Sequence, residues 1–363
     1  MARIVNVILY LGLCVLQTAS SQGTNATKSC PFGNTAQDIA AQSGLNLEGK
    51  IALVTGGRSG LGRRIAEALL ARNCTVIIAS RHEMRNQLAV EDMAYSYPGS
   101  NVSYMTFDLE DFSSVRSFAA NFIQSYPRLD YYFGNAGQSE ELTSSDITMD
   151  GFERMFQVNY VAQFLLVQLL LPLMRDTPSA SRIILTASST HATACGNLGL
   201  GEQDEDGNQF CFDETIDNSA FDYLPLDKKR FESVPASAWG CGYGPYSVSK
   251  YLMIQFGKEL AKRELGNNVY AYSFAPGPIN TGLLPGTFDC CFVNQGYGWP
   301  GPQCRWDLPY VGPTDEAGNP NPPPYSVPNF WVSPEHGTMS PMFAALQADE
   351  SDSGSFISTY YEW

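Results

Sequence analysis

The sequence predicts an α/β fold, a doubly wound parallel sheet in a single domain that carries two long insertions. Three observations predict it. From Lys50 onward, short apolar runs of strand length alternate with stretches of helical periodicity. The runs are apolar at successive positions, which suits strands covered on both faces. Turn-forming residues, Gly, Asn and Asp, cluster where those runs end, at the carboxyl edge where open α/β sheets bind ligands.

Taken in order, residues 51–55 form the first strand and end in glycines, and residues 63–72 read as a helix with Ile65, Ala68 and Leu69 on one face. Strands are expected over 75–79, 102–107 and 130–134. A long apolar helix is expected over 152–174, with Pro178 just beyond its end. The series continues with a strand over 182–187, a helix over 246–265, a strand over 269–275, a helix over 334–347 and a last strand over 354–359. Two stretches interrupt it. Residues 195–242 are polar, acidic and Gly-rich, and residues 288–332 are rich in Pro, Gly and aromatics. Loops of that length are lids, binding loops or disorder.

The bulk numbers narrow the function. With 363 residues and 44% hydrophobic content the chain can bury a sizeable core. A net charge of −15 argues against nucleic acid as a partner, because phosphate binding needs clustered Lys and Arg. At the N-terminus, Arg3 precedes an apolar run from Ile4 to Leu16, followed by Thr18, Ala19, Ser20 and Ser21. Residues 1–21 therefore read as a secretory signal cleaved near Ser20 or Ser21, the run being shorter than the roughly 20 residues that span a bilayer. An uncleaved signal anchor is the alternative, and only then is a membrane a partner. Residues 22–49 are an N-terminal extension, and the domain occupies 50–359.

Export to the secretory pathway, as a secreted or lumenal protein, agrees with two further features. Sequons stand at Asn25, Asn73 and Asn101, although such tripeptides also arise by chance. Loss of Cys14 with the signal leaves Cys30, Cys74, Cys195, Cys211, Cys241, Cys290, Cys291 and Cys304, an even set compatible with disulfides of open connectivity. Cys74 opens an apolar strand and reads instead as a buried small hydrophobe. No metal is expected, because His82, His191 and His336 are dispersed and no Cys/His spacing matches a zinc site.

The chemistry lies at the strand ends. The first strand runs into Gly56-Gly57-Arg58-Ser59-Gly60-Leu61-Gly62 and a helix, so backbone N–H groups and the helix N-terminus can approach a pyrophosphate. After the second strand, where an acid would bind a ribose 2′-hydroxyl, stands Arg81, which accommodates a 2′-phosphate. With Arg58 inside the glycine turn, this favours NADP(H) over NAD(H); a solvated surface charge is the plain alternative for either arginine. Asp108-Leu109 and Asn135-Ala136-Gly137 follow the third and fourth strands. Tyr246 and Lys250 are four apart on a helix and share a face. A phenol with a pKa near 10 is a poor proton donor or acceptor at neutral pH until a neighbouring ammonium lowers it. Taken alone, that spacing arises often by chance.

Taken together, TGGRSGLG, Asp108-Leu109, NAG at 135–137, FQVN at 156–159, Ser188-Ser189, YSVSK at 246–250 and PGPINT at 276–281 resemble the short-chain dehydrogenase/reductase family, with a Rossmann-like domain. The details are similar to its retinol dehydrogenase, WW-domain oxidoreductase and protochlorophyllide reductase branch. The resemblance implies that Tyr246 is the general acid/base, that Lys250 lowers its pKa and holds the nicotinamide ribose, and that Ser189 orients a substrate carbonyl, with Ser188 as the fallback. It makes Asn159 the residue that stabilises the helix turn holding a proton-relay water. It places Pro276 and Gly277 along the nicotinamide pocket and Thr281 at the carboxamide or phosphate, with Ile279 also contacting the cofactor.

The implied activity is hydride transfer between NADP(H) and a small-molecule carbonyl or alcohol. The chain departs from the pattern at Gly134, where the family has a second asparagine, and in its two insertions. The aromatic insertion (Trp299, Trp306, Tyr310, Tyr325, Phe330, Trp331) is either a cap for an apolar substrate or a structural flap. The rival reading is an exported, non-catalytic binding module with the same fold.

Overall fold

A computed structural model describes residues 15–17, 35–139, 147–188, 190–191, 202–203, 209–210, 244–277, 279 and 334–358. Strand β1 (Val15–Gln17) precedes helix α1 (Ala36–Gln42). Thr35 opens α1 with a capping box: its hydroxyl accepts from the Asp38 N–H at 3.2 Å, and the Asp38 carboxylate accepts from the Thr35 N–H at 2.7 Å. The first winding follows as β2 (Ile51–Thr55), α2 (Gly60–Leu70), β3 (Thr75–Ser80), α3 (Glu83–Ser96), β4 (Val102–Thr106), α4 (Phe112–Ser125) and β5 (Tyr131–Gly134). Asp111 caps α4, its carboxylate accepting from the Ser113 N–H at 2.7 Å.

The second winding begins with α5 (Arg154–Phe156), a π-helical turn over Gln157–Val161 and α6 (Ala162–Arg175), which lead to β6 (Ser181–Thr186). The helix expected over 152–174 is thus divided by a wider turn. A short antiparallel pair, β7 (Glu202–Gln203) and β8 (Gln209–Phe210), is the described part of the first insertion. Then come α7 (Gly244–Arg263), β9 (Val269–Ala275), α8 (Pro334–Gly337), α9 (Met339–Leu346) and β10 (Phe356–Ser358).

The main sheet has the order β4–β3–β2–β5–β6–β9–β10–β1. Its neighbours are parallel except β1, which adds antiparallel to β10 at one edge. This strand falls inside the stretch that reads as a signal segment. The central strands β3, β2, β5, β6 and β9 are buried on both sides, as the continuous apolar runs require. Ala52, Val54, Val76, Ile78 and Phe274 face a core with Ile39, Ile65, Leu69 and Met342. Leu53, Ile77, Ile183, Leu185 and Ala271 face the other, with Phe118, Phe122, Leu166 and Leu170. Neighbouring residues of one strand divide between the two cores by the period of two.

Two features position the site. The chain winds from β2 outward to β4, then returns to β5 on the other side of β2, so the β2–β5 boundary is the switch point, and its carboxyl end is where open α/β sheets bind ligands. The opposite edge is tied down by Asp130, which is buried. Its carboxylate accepts from the Ile51 N–H at 2.9 Å, from Arg128 Nη2 at 2.6 Å and from Ser179 Oγ at 2.7 Å. Cys74 is buried beside that edge, as its place at a strand start predicts.

Candidate active site

Thr55, the last residue of β2, joins the two turns at the switch point. Its buried hydroxyl donates to the Phe133 carbonyl at 3.1 Å and accepts from the N–H groups of Asn135 at 3.0 Å and Ala136 at 2.9 Å. Asn135 Nδ2 donates back to the Thr55 carbonyl at 3.0 Å. The glycine turn packs closely on this junction at Gly62. A Cβ on Gly62 would lie 2.6 Å from both Asn135 Nδ2 and the Gly56 carbonyl oxygen, and Gly56 itself has a φ of 68°. Ser59 stands at the N-cap of α2 and makes no side-chain capping bond there, so the first N–H groups of α2 are left for another acceptor. Leu61, by contrast, is buried, and so is Ile279 from the segment after β9. A Cβ on Gly337 would meet both, at 3.3 and 2.0 Å, so α8 closes directly over them.

Beside the turn, three arginines converge. Arg58 is half-buried, and burial, then the charges of Arg85 and Arg81, push its guanidinium below the ordinary value. Arg81 is paired, its Nη1 lying 2.7 Å from Glu110 Oε1. Among the described residues neither Arg58 nor Arg85 has a carboxylate partner. Arg85 was absent from the sequence expectation. Its signal was there, four residues beyond Arg81 in the first turn of α3. Asp108 caps the turn after β4, with Oδ1 accepting from the Glu110 N–H at 3.0 Å, and the carbonyl of buried Leu109 accepts from Gln157 Nε2 at 3.2 Å.

On the other side of the switch point, Asn159 sits inside the π-helical turn, a local widening that is common at functional positions. It is buried, and its side chain brackets the chain after Gly137. The Gln138 N–H donates to Asn159 Oδ1 at 2.8 Å, and Asn159 Nδ2 donates to the Gln138 carbonyl at 2.9 Å. Asn159 Nδ2 also reaches Ser249 Oγ at 3.2 Å, and Ser249 donates to the Tyr246 carbonyl at 2.6 Å. Asn159 is thereby bonded to α7, which presents Tyr246 and Lys250.

Lys250 Nζ lies 5.5 Å from the centre of the Tyr246 ring and donates to the Thr186 carbonyl at 3.0 Å. Burial pushes this ammonium down to about 8. A Cβ on Gly137 would be 3.0 Å from Asn159 Oδ1 and 3.4 Å from Lys250 Nζ, so a larger residue would press on both side chains. The structure therefore brings Gly137, Asn159, Tyr246 and Lys250 together. Pro276 and Gly277 directly follow β9, Gly277 with a φ of 85°.

Ser188 is turned into its own loop. Its hydroxyl accepts from the Thr190 N–H at 3.2 Å and contacts the Thr190 hydroxyl at 3.0 Å, and its carbonyl lies 2.6 Å from His191 Nδ1. Ser189 and Thr281 lie outside the described residues, as do Asn25, every cysteine except Cys74, the aromatic residues of the second insertion and most of both insertions.

A topological switch point, a close-packed glycine turn beside it and a buried Asn–Tyr–Lys set together define a Rossmann-like α/β domain. The family model for short chain dehydrogenases matches residues 50–197. A short-chain dehydrogenase/reductase of Armillaria gallica is 30% identical over 241 residues, covering 66% of this chain and 68% of that protein. The chain belongs to the short-chain dehydrogenase/reductase family.

Dehydrogenase/reductase SDR family member 13 of Homo sapiens is 28% identical over 305 residues, covering 83% of this chain; the chain spans 63% of that relative's length. Retinol dehydrogenase 11 of Mus musculus is 30% identical over 241 residues, covering 66% of this chain and 65% of that protein. A crystal structure of a short chain dehydrogenase from Burkholderia cenocepacia in complex with NADP has the same fold, with a TM-score of 0.55 at 18% identity over 86% of this chain and 97% of that one.

Proposed function

We propose that the protein is an NADP(H)-dependent oxidoreductase acting on a small-molecule carbonyl or alcohol. The observation that carries this reading is the buried Lys250 ammonium 5.5 Å from the Tyr246 ring, on a helix bonded through Ser249 to Asn159. The residues fit a dinucleotide: Gly62 leaves bare backbone where a Cβ would clash, Gly56 has a φ of 68° that favours glycine, and Arg58 and Arg85 lack anionic partners among the described residues. The relative from Burkholderia cenocepacia, whose crystals hold NADP, fits the same reading.

The nicotinamide, when bound, supplies or accepts the hydride. Everything else falls to the protein. Tyr246 gives its phenolic proton to the substrate oxygen in reduction and takes it back in oxidation. Lys250 keeps that proton exchangeable near neutral pH and holds the nicotinamide ribose. Ser189 donates a hydrogen bond to the same substrate oxygen, stabilising charge as it develops. Asn159 fixes the π-helical turn from which a relay water is held. Arg58 and Arg81, with Arg85 added, take the 2′-phosphate. Titration with NADPH, followed by nicotinamide fluorescence, tests the reading. Binding in the low micromolar range with turnover in a panel of carbonyls and alcohols supports it, and no binding at high micromolar concentrations leaves the binding-module alternative.

We further propose entry into the secretory pathway through residues 1–21. Asn73 and Asn101, the described sequon residues, are both exposed, as glycan attachment requires. Sequencing the N-terminus of the protein purified from a eukaryotic host tests this: a start near Ser21 means cleavage, and an intact start with membrane association means an anchor.

A further inference from the structure

Four buried side-chain polar atoms among the described residues make no hydrogen bond: Ser100 Oγ, Gln138 Nε2, Thr186 Oγ1 and Ser355 Oγ. Two of the four belong to residues bonded through their backbones to the proposed catalytic set. Gln138 is clamped at both its N–H and its carbonyl by Asn159, and the Thr186 carbonyl holds Lys250 Nζ. Leaving a buried amide N–H without an acceptor is unfavourable, and a methionine or leucine at this position would avoid it. The preceding residue, Gly137, is hemmed in between Asn159 Oδ1 and Lys250 Nζ. The Gln138 backbone is therefore anchored next to the residue that abuts the Lys250 ammonium, which, in the oxidoreductase reading on which this inference rests, faces the nicotinamide ribose.

We propose that Gln138 is a ligand-positioning residue whose Nε2 donates to an oxygen held beside Lys250, on the nicotinamide ribose or on the substrate. Its backbone cannot shift without breaking two bonds to Asn159. Its carboxamide can turn, because the terminal torsion of glutamine is soft. Ligand binding then supplies the acceptor that the free protein lacks, and the bond adds to affinity only in the complex. An amide placed this way also favours ligands with an oxygen at that point over analogues without one.

The test is Gln138→Met, which keeps the length and removes the donor. Without ligand, the thermal midpoint is expected to rise, because the unpaired amide is gone. With ligand, one parameter is expected to weaken by roughly fivefold to thirtyfold. If the oxygen is on the ribose, the Kd for NADPH rises. If it is on the substrate, Kd holds and the KM for the carbonyl rises. Unchanged Kd and KM, or a lower midpoint in the ligand-free variant, overturns the proposal. Should Gln138→Met fail to fold, Gln138→Glu, which keeps the shape and loses the donor, is read for Kd and KM in the same way. The wild-type titration separates the two levels. If the wild-type protein binds no NADPH, the oxidoreductase reading itself fails, whereas wild-type binding with an indifferent variant removes only the role of Gln138.

Discussion

Lys250 Nζ donates to the Thr186 carbonyl at 3.0 Å while lying 5.5 Å from the Tyr246 ring, so a buried ammonium is shared between the end of β6 and the proposed acid/base. Burial brings it down to about 8 from an ordinary 10.5. Below pH 8 both folded and unfolded chains hold this proton, and the fold carries the full cost of a buried charge. Between about 8 and 10.5 the unfolded chain binds more protons, so this group makes stability rise with pH across that window. Lys250→Met is expected to remove the rise and to stabilise the ligand-free protein at pH 7 by roughly 1–3 kcal/mol, while abolishing turnover. Urea midpoints for both proteins from pH 7 to about 10.5 check it.

Tyr246 is buried, so its ring packs regardless of its hydroxyl. Tyr246→Phe keeps the packing and removes the proton. Turnover should fall by a factor of roughly 10² to 10⁴, with the Kd for NADPH within about threefold of the wild type. A variant that loses both together would show that the hydroxyl holds the cofactor rather than the proton.

The three arginines are not equivalent. Arg81 is already occupied by Glu110 at 2.7 Å, whereas Arg58 is half-buried and Arg85 is exposed, neither with a carboxylate partner among the described residues. Arg58→Gln and Arg85→Gln are each expected to lower the preference for NADPH over NADH by about tenfold, and Arg81→Gln by less. Affinities for the two cofactors, measured side by side, decide. Equal losses for NADPH and NADH would place these charges away from the 2′-phosphate.

Much of this was legible in the sequence because strands buried on both faces and turns of fixed chemistry leave strong patterns. β2 and β9 have the expected bounds, and Gly137, Asn159, Tyr246 and Lys250, each singled out in the sequence, lie close together in the fold. α3 left no such pattern. Met84, Leu88 and Tyr95 are exposed on it while Asn86 is buried, so its polarity does not follow the helical period. The π-helical turn around Asn159 was also silent, because widening a helix by one residue changes no residue type. The idle amide of Gln138 depends on a contact that is not made, which no spacing records.

Gly134 shows how a departure from the family pattern is absorbed. A Cβ here would lie 3.2 Å from both Leu185 Cδ2 and Tyr132 Cε1, and 3.5 Å from Gln163 Oε1, so the asparagine of other members would have to push these side chains aside. The volume is filled by a buried pair in which the Tyr132 hydroxyl donates to Gln163 Oε1. Gln163 Nε2 passes the connection on, to the Ala136 carbonyl at 3.1 Å and Thr55 Oγ1 at 3.4 Å, and so supports the turn after β5. Gly134→Asn is expected to destabilise by roughly 1–3 kcal/mol through overpacking. Tyr132→Phe strands Gln163 Oε1 and should cost a similar amount, about 1–3 kcal/mol. Gln163→Leu strands the Tyr132 hydroxyl in the same way, and the double variant should cost less than the two singles added together, because it leaves neither group of the pair unpaired. Urea denaturation of the four proteins measures the coupling, and strict additivity would mean that the pair fills space without sharing a bond.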